Sequence, residues 1–132
     1  MIVGFGTDII DNRRIEKTLN KFKDKFKKRC FLINEIIKSD NRKNSVNSYA
    51  KRYAAKEACA KALGTGLARG VFWKDIEIIN NIYGKPYIKL HNKALIRLKQ
   101  LSNKECSIEV SLSDEQKYSI ANVVIFEKWK KK

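Results

Sequence analysis

Histidine and proline are almost missing from this chain of 132 residues, with His91 and Pro86 its only examples, and cysteine occurs three times. Cys30, Cys59 and Cys106 are odd in number and form no C-x-x-C pair, which argues against both a disulfide framework and a zinc site. They read as reduced thiols, with Cys59 and Cys106 as small core residues on a helix and a strand rather than as nucleophiles. His91 lies outside every motif and is expected at the surface. Pro86 is expected on an edge strand or at a strand start, because it lacks the N–H that a ladder needs. No long apolar run is present. The opening MIVGFGTDIID meets an acid too early for a signal peptide or a spanning helix, so a cytoplasmic location is the default expectation. Repeats, low-complexity segments and a second domain are also lacking, so residues 1–132 are expected to form one domain with a basic tail at 128–132.

Acidic residues are scarce too. Asp and Glu number 14 against 29 Lys and Arg, a net charge of +15, which favours an anionic partner: nucleic acid, a membrane surface, a phosphorylated small molecule or an acidic protein. Charge alone does not choose among them, and many lysines simply solvate a surface.

The stretch that organises the chain is RYAAKEACAKALGTG, Arg52 to Gly66. Its alanines, lysines and glutamate are strong helix formers and its Gly-Thr-Gly is a stop, which predicts a helix from about Ser48 to Leu63. At 3.6 residues per turn Tyr53, Glu57 and Lys61 share one row, and Ala54, Ala58 and Ala62 form a neighbouring row that lets another backbone approach closely. Glu57 and Lys61 are also spaced as an ordinary surface ion pair.

Upstream, Ile2 to Ile10 predicts a strand with Ile2, Gly4, Gly6 and Asp8 on one face and Val3, Phe5, Thr7 and Ile9 on the other. Asp8 at its end is a metal ligand or a base, or equally an acid that caps a helix or reaches solvent. Asp11 can cap a helix running to about Lys28, with Ile15, Leu19, Phe22 and Phe26 as the buried stripe. Another face carries Arg14, Lys17, Lys21, Lys25 and Lys28 as a continuous basic ridge. That ridge is either a solvated face or a docking surface for an acidic partner or a phosphate backbone.

Phe31 to Lys38 predicts one or two helical turns, and Ser39 to Ser48 a polar loop whose Arg42 and Lys43 can reach a phosphate or lie in water. Beyond an irregular link from Leu67 to Trp73, Ile76–Asn80 and Lys85–Leu90 read as a hairpin. His91 to Leu101 reads as a helix with Leu95, Leu98 and Leu101 on one face. Cys106–Ser113 alternates as a half-buried strand and Ser119–Phe126 is a final apolar strand. The expected fold is α+β, a mainly antiparallel sheet packed against the long central helix.

The motifs GFGTDII, RYAAKEACAKALGTG, WKDIEIINNIYGKPYIKL and VSLSD, in this order from Met1 to about Glu127, resemble the holo-(acyl-carrier-protein) synthase family of small 4'-phosphopantetheinyl transferases. The resemblance implies Mg2+-dependent transfer of the phosphopantetheine arm of coenzyme A to a serine of apo acyl carrier protein, in fatty acid biosynthesis, with release of adenosine 3',5'-bisphosphate. Asp8 and Glu57 match the family's metal-binding acids, Lys61 the lysine that meets the phosphates, and Arg14 an arginine of the carrier-docking helix. The resemblance thereby assigns the docking of an acidic carrier to the ridge of Arg14, Lys17, Lys21, Lys25 and Lys28. Coenzyme A is placed near Arg52, Lys61, Gly64, Thr65 and Gly66, with Pro86 by the nucleotide, although Gly64 is equally a plain helix terminator. A homotrimer with active sites between subunits is implied, with neither membrane nor nucleic acid as partner. Mg2+ is content with one or two carboxylates plus phosphate oxygens and water, so two acids suffice. The base that takes the serine proton is open among Glu57, Asp8 and a metal-bound water.

One position departs from the family pattern. Where the family has histidine after the V-S-[IL]-[ST] strand end, this chain has Asp114, which phosphates would repel unless Arg42, Lys43 or Arg52 pairs with it; the alternative is an outward turn toward Glu115 and Lys117. Two rival readings remain. A non-enzymatic nucleic-acid-binding module suits the charge but has no recognised motif, and a structural assembly subunit leaves Asp8, Glu57 and Lys61 idle.

Overall fold

The computed structural model describes residues 1–68 and 70–129, so Lys130 to Lys132 of the expected tail lie outside the described residues. Its elements are β1 (Ile2–Asp11), α1 (Asn12–Phe22), α2 (Asp24–Cys30), α3 (Ile33–Asp40), α4 (Ser45–Ala62), β2 (Ile76–Asn80), β3 (Pro86–Leu90), α5 (Asn92–Leu101), β4 (Cys106–Asp114) and β5 (Tyr118–Glu127). Strands β1, β5 and β4 form an antiparallel sheet in that order, and β2 pairs antiparallel with β3 as a separate hairpin that lies against β4. Pro86 is the first residue of β3, where its missing donor is harmless.

Helix α4 lies across the three-stranded sheet, as the alternation and the alanine row predict. Ala54, Ala58 and Ala62 are fully or almost fully buried, and facing them are Ala121, Val123 and Ile125 of β5. The approach of β1 is closer than any side chain would allow. A Cβ at Gly6 would fall on the carbonyl oxygen of Ala58, and one at Gly4 on that of Ala62. Glycine on the strand and alanine on the helix therefore set the spacing that brings Asp8, next on the same face, up to α4.

Among the described residues nothing covers the opposite face of the sheet at this end. Phe5 and Ile9 are 63% and 61% exposed there, Ile120 stands directly across from Ile9, and Tyr118 is exposed at the same end.

Three expectations change. The helix expected to run to Lys28 breaks at Lys23, whose φ is positive at 49° with ψ at −124°. The break turns α2 so that Phe26 meets Phe31 edge-on at 5.7 Å and Tyr53 at 6.0 Å, while Phe22 of the expected buried stripe is left exposed. Packing thus outweighs the cost, on the order of 1–3 kcal/mol, of a lysine held in a sparsely populated backbone conformation. Second, α4 begins at Ser45 with the Asn44 side chain accepting from the Asn47 amide, and α3 runs on to Asp40, so the loop shrinks to residues 41–44. Third, His91 is no free surface residue: its Nε2 lies 2.8 Å from Glu77 Oε1.

A buried ion pair ties α3 and β2 to α4. Lys56 is fully buried and donates to Glu35 Oε1 (2.7 Å), the Trp73 carbonyl (2.9 Å) and the Ile76 carbonyl, while Glu35 also accepts from the amides of Leu32 and Ile78. Every polar atom of the pair has a partner, the condition under which a buried charge is tolerated. The three cysteines are free thiols, and burial pushes Cys30 to about 11 and Cys59 to about 12. At those values neither is a ready nucleophile.

Candidate active site

Asp8, Glu57 and Lys61 come together where β1 crosses the second half of α4. Lys61 Nζ donates to Asp8 Oδ1 (3.1 Å) and to the Thr7 carbonyl (3.0 Å). Among the described ion pairs Lys61 joins Asp8 rather than Glu57, so the i,i+4 surface pair is not what the row forms. Tyr53 stands one turn before Glu57 in the same row and feels its charge. Partial burial and the negative charge of Asp8 hold the Glu57 carboxyl above the ordinary glutamate range, against the opposing pull of Lys61. Burial and the Glu57 charge likewise push the Tyr53 phenol up to about 12, so it stays a neutral donor. Two carboxylates therefore face one ammonium at the rim of the protein. That leaves room for a further positive charge, although among the described residues no group of three or more His, Cys, Asp or Glu converges.

The helix stop lies one turn beyond Lys61. Gly64 and Gly66 have φ of 80° and 59°, conformations open to glycine, and the Gly64 amide donates to the Lys61 carbonyl (3.0 Å). Gly64 therefore serves as the terminator that its position suggested. The Thr65 hydroxyl is buried with no hydrogen-bond partner among the described residues, and Arg97 of α5 donates to the Leu63 carbonyl at 2.8 Å.

Arg14, Lys17 and Lys21 are exposed along α1, and Lys25 and Lys28 are exposed on α2 beyond the break, so the ridge is two segments rather than one straight row. Between α1, α2 and Tyr53 lies an apolar cavity of about 380 Å³ lined by Phe22, Phe26, Cys30 and Trp73.

Arg52 and Pro86 stand elsewhere. Arg52 is five residues before Glu57, about 140° round the helix, and is buried against the hairpin, donating to the Ile78 carbonyl and to Asn80 Oδ1 (3.0 Å). It lines a second cavity, of about 300 Å³, with Arg42, Lys43, Asn47, Lys51 and Asp114; Pro86 lines an adjoining hollow that shares Arg42 and Lys51. Asp114 lines this second cavity instead of turning outward, but its partners are none of the three cations expected. Its Oδ2 accepts from Asn47 Nδ2 (3.0 Å) and its Oδ1 is 3.5 Å from Lys51 Nζ. Sequence reasoning passed over Asn47, Lys51 and Arg97, and Tyr53 was placed only as a member of its row. Positions 47 and 51 are one helical turn apart, the one signal that could have paired the first two.

The strand order sets these two groups apart. Asp8 lies on β1 at one edge of the sheet, whereas the basic cavity lies beyond β4 at the other, against the hairpin. One chain thus carries an acidic cluster and a basic cavity that do not face each other.

An α+β fold thus carries a two-carboxylate cluster and, apart from it, a mainly cationic cavity. The profile of the 4'-phosphopantetheinyl transferase superfamily matches residues 4–124. The holo-[acyl-carrier-protein] synthase of Agrobacterium fabrum is 50% identical over 127 residues, covering 95% of each chain. Among solved structures, the holo-[acyl-carrier-protein] synthase of Neisseria meningitidis is 35% identical with a TM-score of 0.84, covering 96% of this chain and all of that one. The Bacillus anthracis holo-(acyl-carrier-protein) synthase in complex with CoA (3',5'-ADP) is also 35% identical, with a TM-score of 0.80 over 97% of this chain and 99% of that one. The chain belongs to the 4'-phosphopantetheinyl transferase superfamily and, within it, to the holo-(acyl-carrier-protein) synthases.

Proposed function

We propose that this chain performs its family's reaction, transfer of the 4'-phosphopantetheine group of coenzyme A to a serine of apo acyl carrier protein, at the Asp8–Glu57–Lys61 cluster. The serine oxygen attacks the phosphorus that bears pantetheine, the bridging P–O bond of the pyrophosphate breaks, and adenosine 3',5'-bisphosphate leaves. The serine proton passes to a base. The observation that carries the reading is the pair of carboxylates, Glu57 held above its usual range by burial and by Asp8, with a lysine beside them.

Mg2+ fits this donor set, because two oxygen donors whose mutual repulsion Lys61 only partly relieves suit a hard divalent cation that takes its other ligands from phosphate and water. Asp8 and Glu57 would hold it, and when bound it supplies charge neutralisation at the pyrophosphate. Lys61 adds a positive charge to the same group and keeps Asp8 in place. The Gly64–Thr65–Gly66 turn, with its φ-positive glycines and a threonine hydroxyl unpartnered among the described residues, lets the ligand approach the backbone. The Arg14, Lys17, Lys21, Lys25 and Lys28 ridge meets the acidic carrier.

The active unit is a homotrimer in this reading. Two features support it: the exposed apolar face of Phe5, Ile9, Ile120 and Tyr118, and the placing of the acidic cluster and the basic cavity at opposite sheet edges. In a ring, the edge of one copy meets the other edge of the next, so Asp8 and Glu57 of one subunit face Arg42, Lys43, Arg52 and Pro86 of its neighbour. Among the described residues no helix is long and apolar enough to cross a membrane, and a cytoplasmic setting suits three free thiols.

The test is intact mass of an apo acyl carrier protein after incubation with coenzyme A, Mg2+ and this chain. One added phosphopantetheine, lost with Asp8→Ala or Glu57→Ala, is expected. No added mass with the unaltered chain would reject the transferase reading in favour of a nucleic-acid-binding module.

A further inference from the structure

The basic cavity at the hairpin edge contains one anionic side chain among four cationic ones. Arg52 is already committed to Ile78 and Asn80. Lys51 and Asn47, one turn apart on α4, both turn to Asp114. Arg42 and Lys43 are exposed and have no carboxylate partner among the described residues. Asp114 therefore occupies, with its own two oxygens, a place where a ligand oxyanion would otherwise meet Lys51 and Asn47.

We infer that Asp114 is a specificity-determining residue that weakens the cavity's preference for a phosphate monoester over a free ribose hydroxyl, and so lowers discrimination between coenzyme A and 3'-dephospho-coenzyme A. This rests on the transferase reading and on the cavity's receiving the nucleotide end of the donor. Coenzyme A has two anionic groups, the pyrophosphate and the 3'-phosphate. With the pyrophosphate at Lys61 of one subunit, the 3'-phosphate falls to the facing cavity of its neighbour, where Arg42 and Lys43 have no carboxylate partner among the described residues. A phosphate there must take Lys51 from Asp114 and lie beside a carboxylate, whereas a ribose hydroxyl can donate to that carboxylate. Both donors supply the same phosphopantetheine phosphorus to the serine. The bond broken is the same, and the leaving group is adenosine 3',5'-bisphosphate from one donor and adenosine 5'-monophosphate from the other.

The experiment measures kcat/KM for coenzyme A and for 3'-dephospho-coenzyme A, at low and at moderate ionic strength, in the unaltered chain, Asp114→Asn and Asp114→Ser. Removing one charge from a partly solvated site should raise the ratio in favour of coenzyme A by about fivefold in both variants, and salt should shrink the gain. A merely structural role for Asp114 would lower both rates together and leave the ratio unmoved, which would overturn the inference. Equilibrium binding of adenosine 3',5'-bisphosphate to Arg42→Ala separates the failures. Undiminished binding there shows that the nucleotide end lies outside this cavity and ends the inference while the transferase reading stands. Absence of transfer from either donor by the unaltered chain ends both.

Discussion

Replacing Gly6 by alanine probes how sequence, packing and site are linked. The added methyl would coincide with the Ala58 carbonyl oxygen and crowd the Ala62 amide, both parts of helix backbone that cannot rotate away. Strand and helix must separate. In a strand the intrinsic preference favours alanine over glycine by up to about 1 kcal/mol, so any net loss measures the contact itself. Overpacking of this kind costs about 1–3 kcal/mol, and an immovable carbonyl points to the upper end. At roughly 3–6 °C per kcal/mol for a domain of this size, Tm should fall by about 10 °C or more. Activity should fall further than stability implies. Asp8 is two residues along the same face, and its 3.1 Å contact with Lys61 opens if β1 moves outward; about 1 Å of misplacement at a reacting site can cost roughly 100-fold. Thermal unfolding and carrier-modification rates measured well below Tm report the two effects separately. An unchanged or raised Tm with full transfer would refute the claim that glycine is required by the α4 contact.

In metal-free protein Glu57→Gln should abolish transfer yet raise Tm slightly at neutral pH. The sign follows because a carboxyl with a raised folded pKa binds its proton more tightly in the folded state. Its penalty is full above that raised value and fades as pH falls toward the ordinary glutamate range, so the variant's Tm advantage should vanish in acid. Lys56→Met should cost about 3–5 kcal/mol in urea unfolding, because Glu35 is left charged and buried, and Lys56→Met with Glu35→Leu should recover part of it; equal losses would contradict the pairing. Lys21→Glu should raise KM for the carrier but not for coenzyme A, with the difference shrinking in salt; equal changes in both would leave the ridge a solvated face.

Much of the site was legible because it is local. The Tyr53, Glu57 and Lys61 row follows from helical period, the Gly4, Gly6 and Asp8 face from strand alternation, and the small residues on both signal their close approach. What the sequence hid was set at a distance. Asp114 meets Asn47 across 67 positions, and no local pattern names that partner. The break at Lys23 carries no glycine or proline to mark it; it exists because Phe26 gains Phe31 and Tyr53. Arg52 looked like a neighbour of Glu57 in the chain, yet the turn of the helix sends it to the hairpin. The separation of the acidic cluster from the basic cavity is a property of strand order, which no single motif records.

That separation is the centre of the account, and complementation tests it most directly. Asp8→Ala and a cavity variant, Arg42→Ala with Lys43→Ala, should each transfer poorly alone. If each active site takes Asp8 from one subunit and the cavity from the next, trimers assembled from an equal mixture contain about a quarter of sites with both halves intact, and activity should return to that level. A mixture of Asp8→Ala with Glu57→Ala should not recover, since both lie in the same half. A first mixture no more active than its components, despite mixed trimers by mass, would contradict the account and place the whole reaction within one chain.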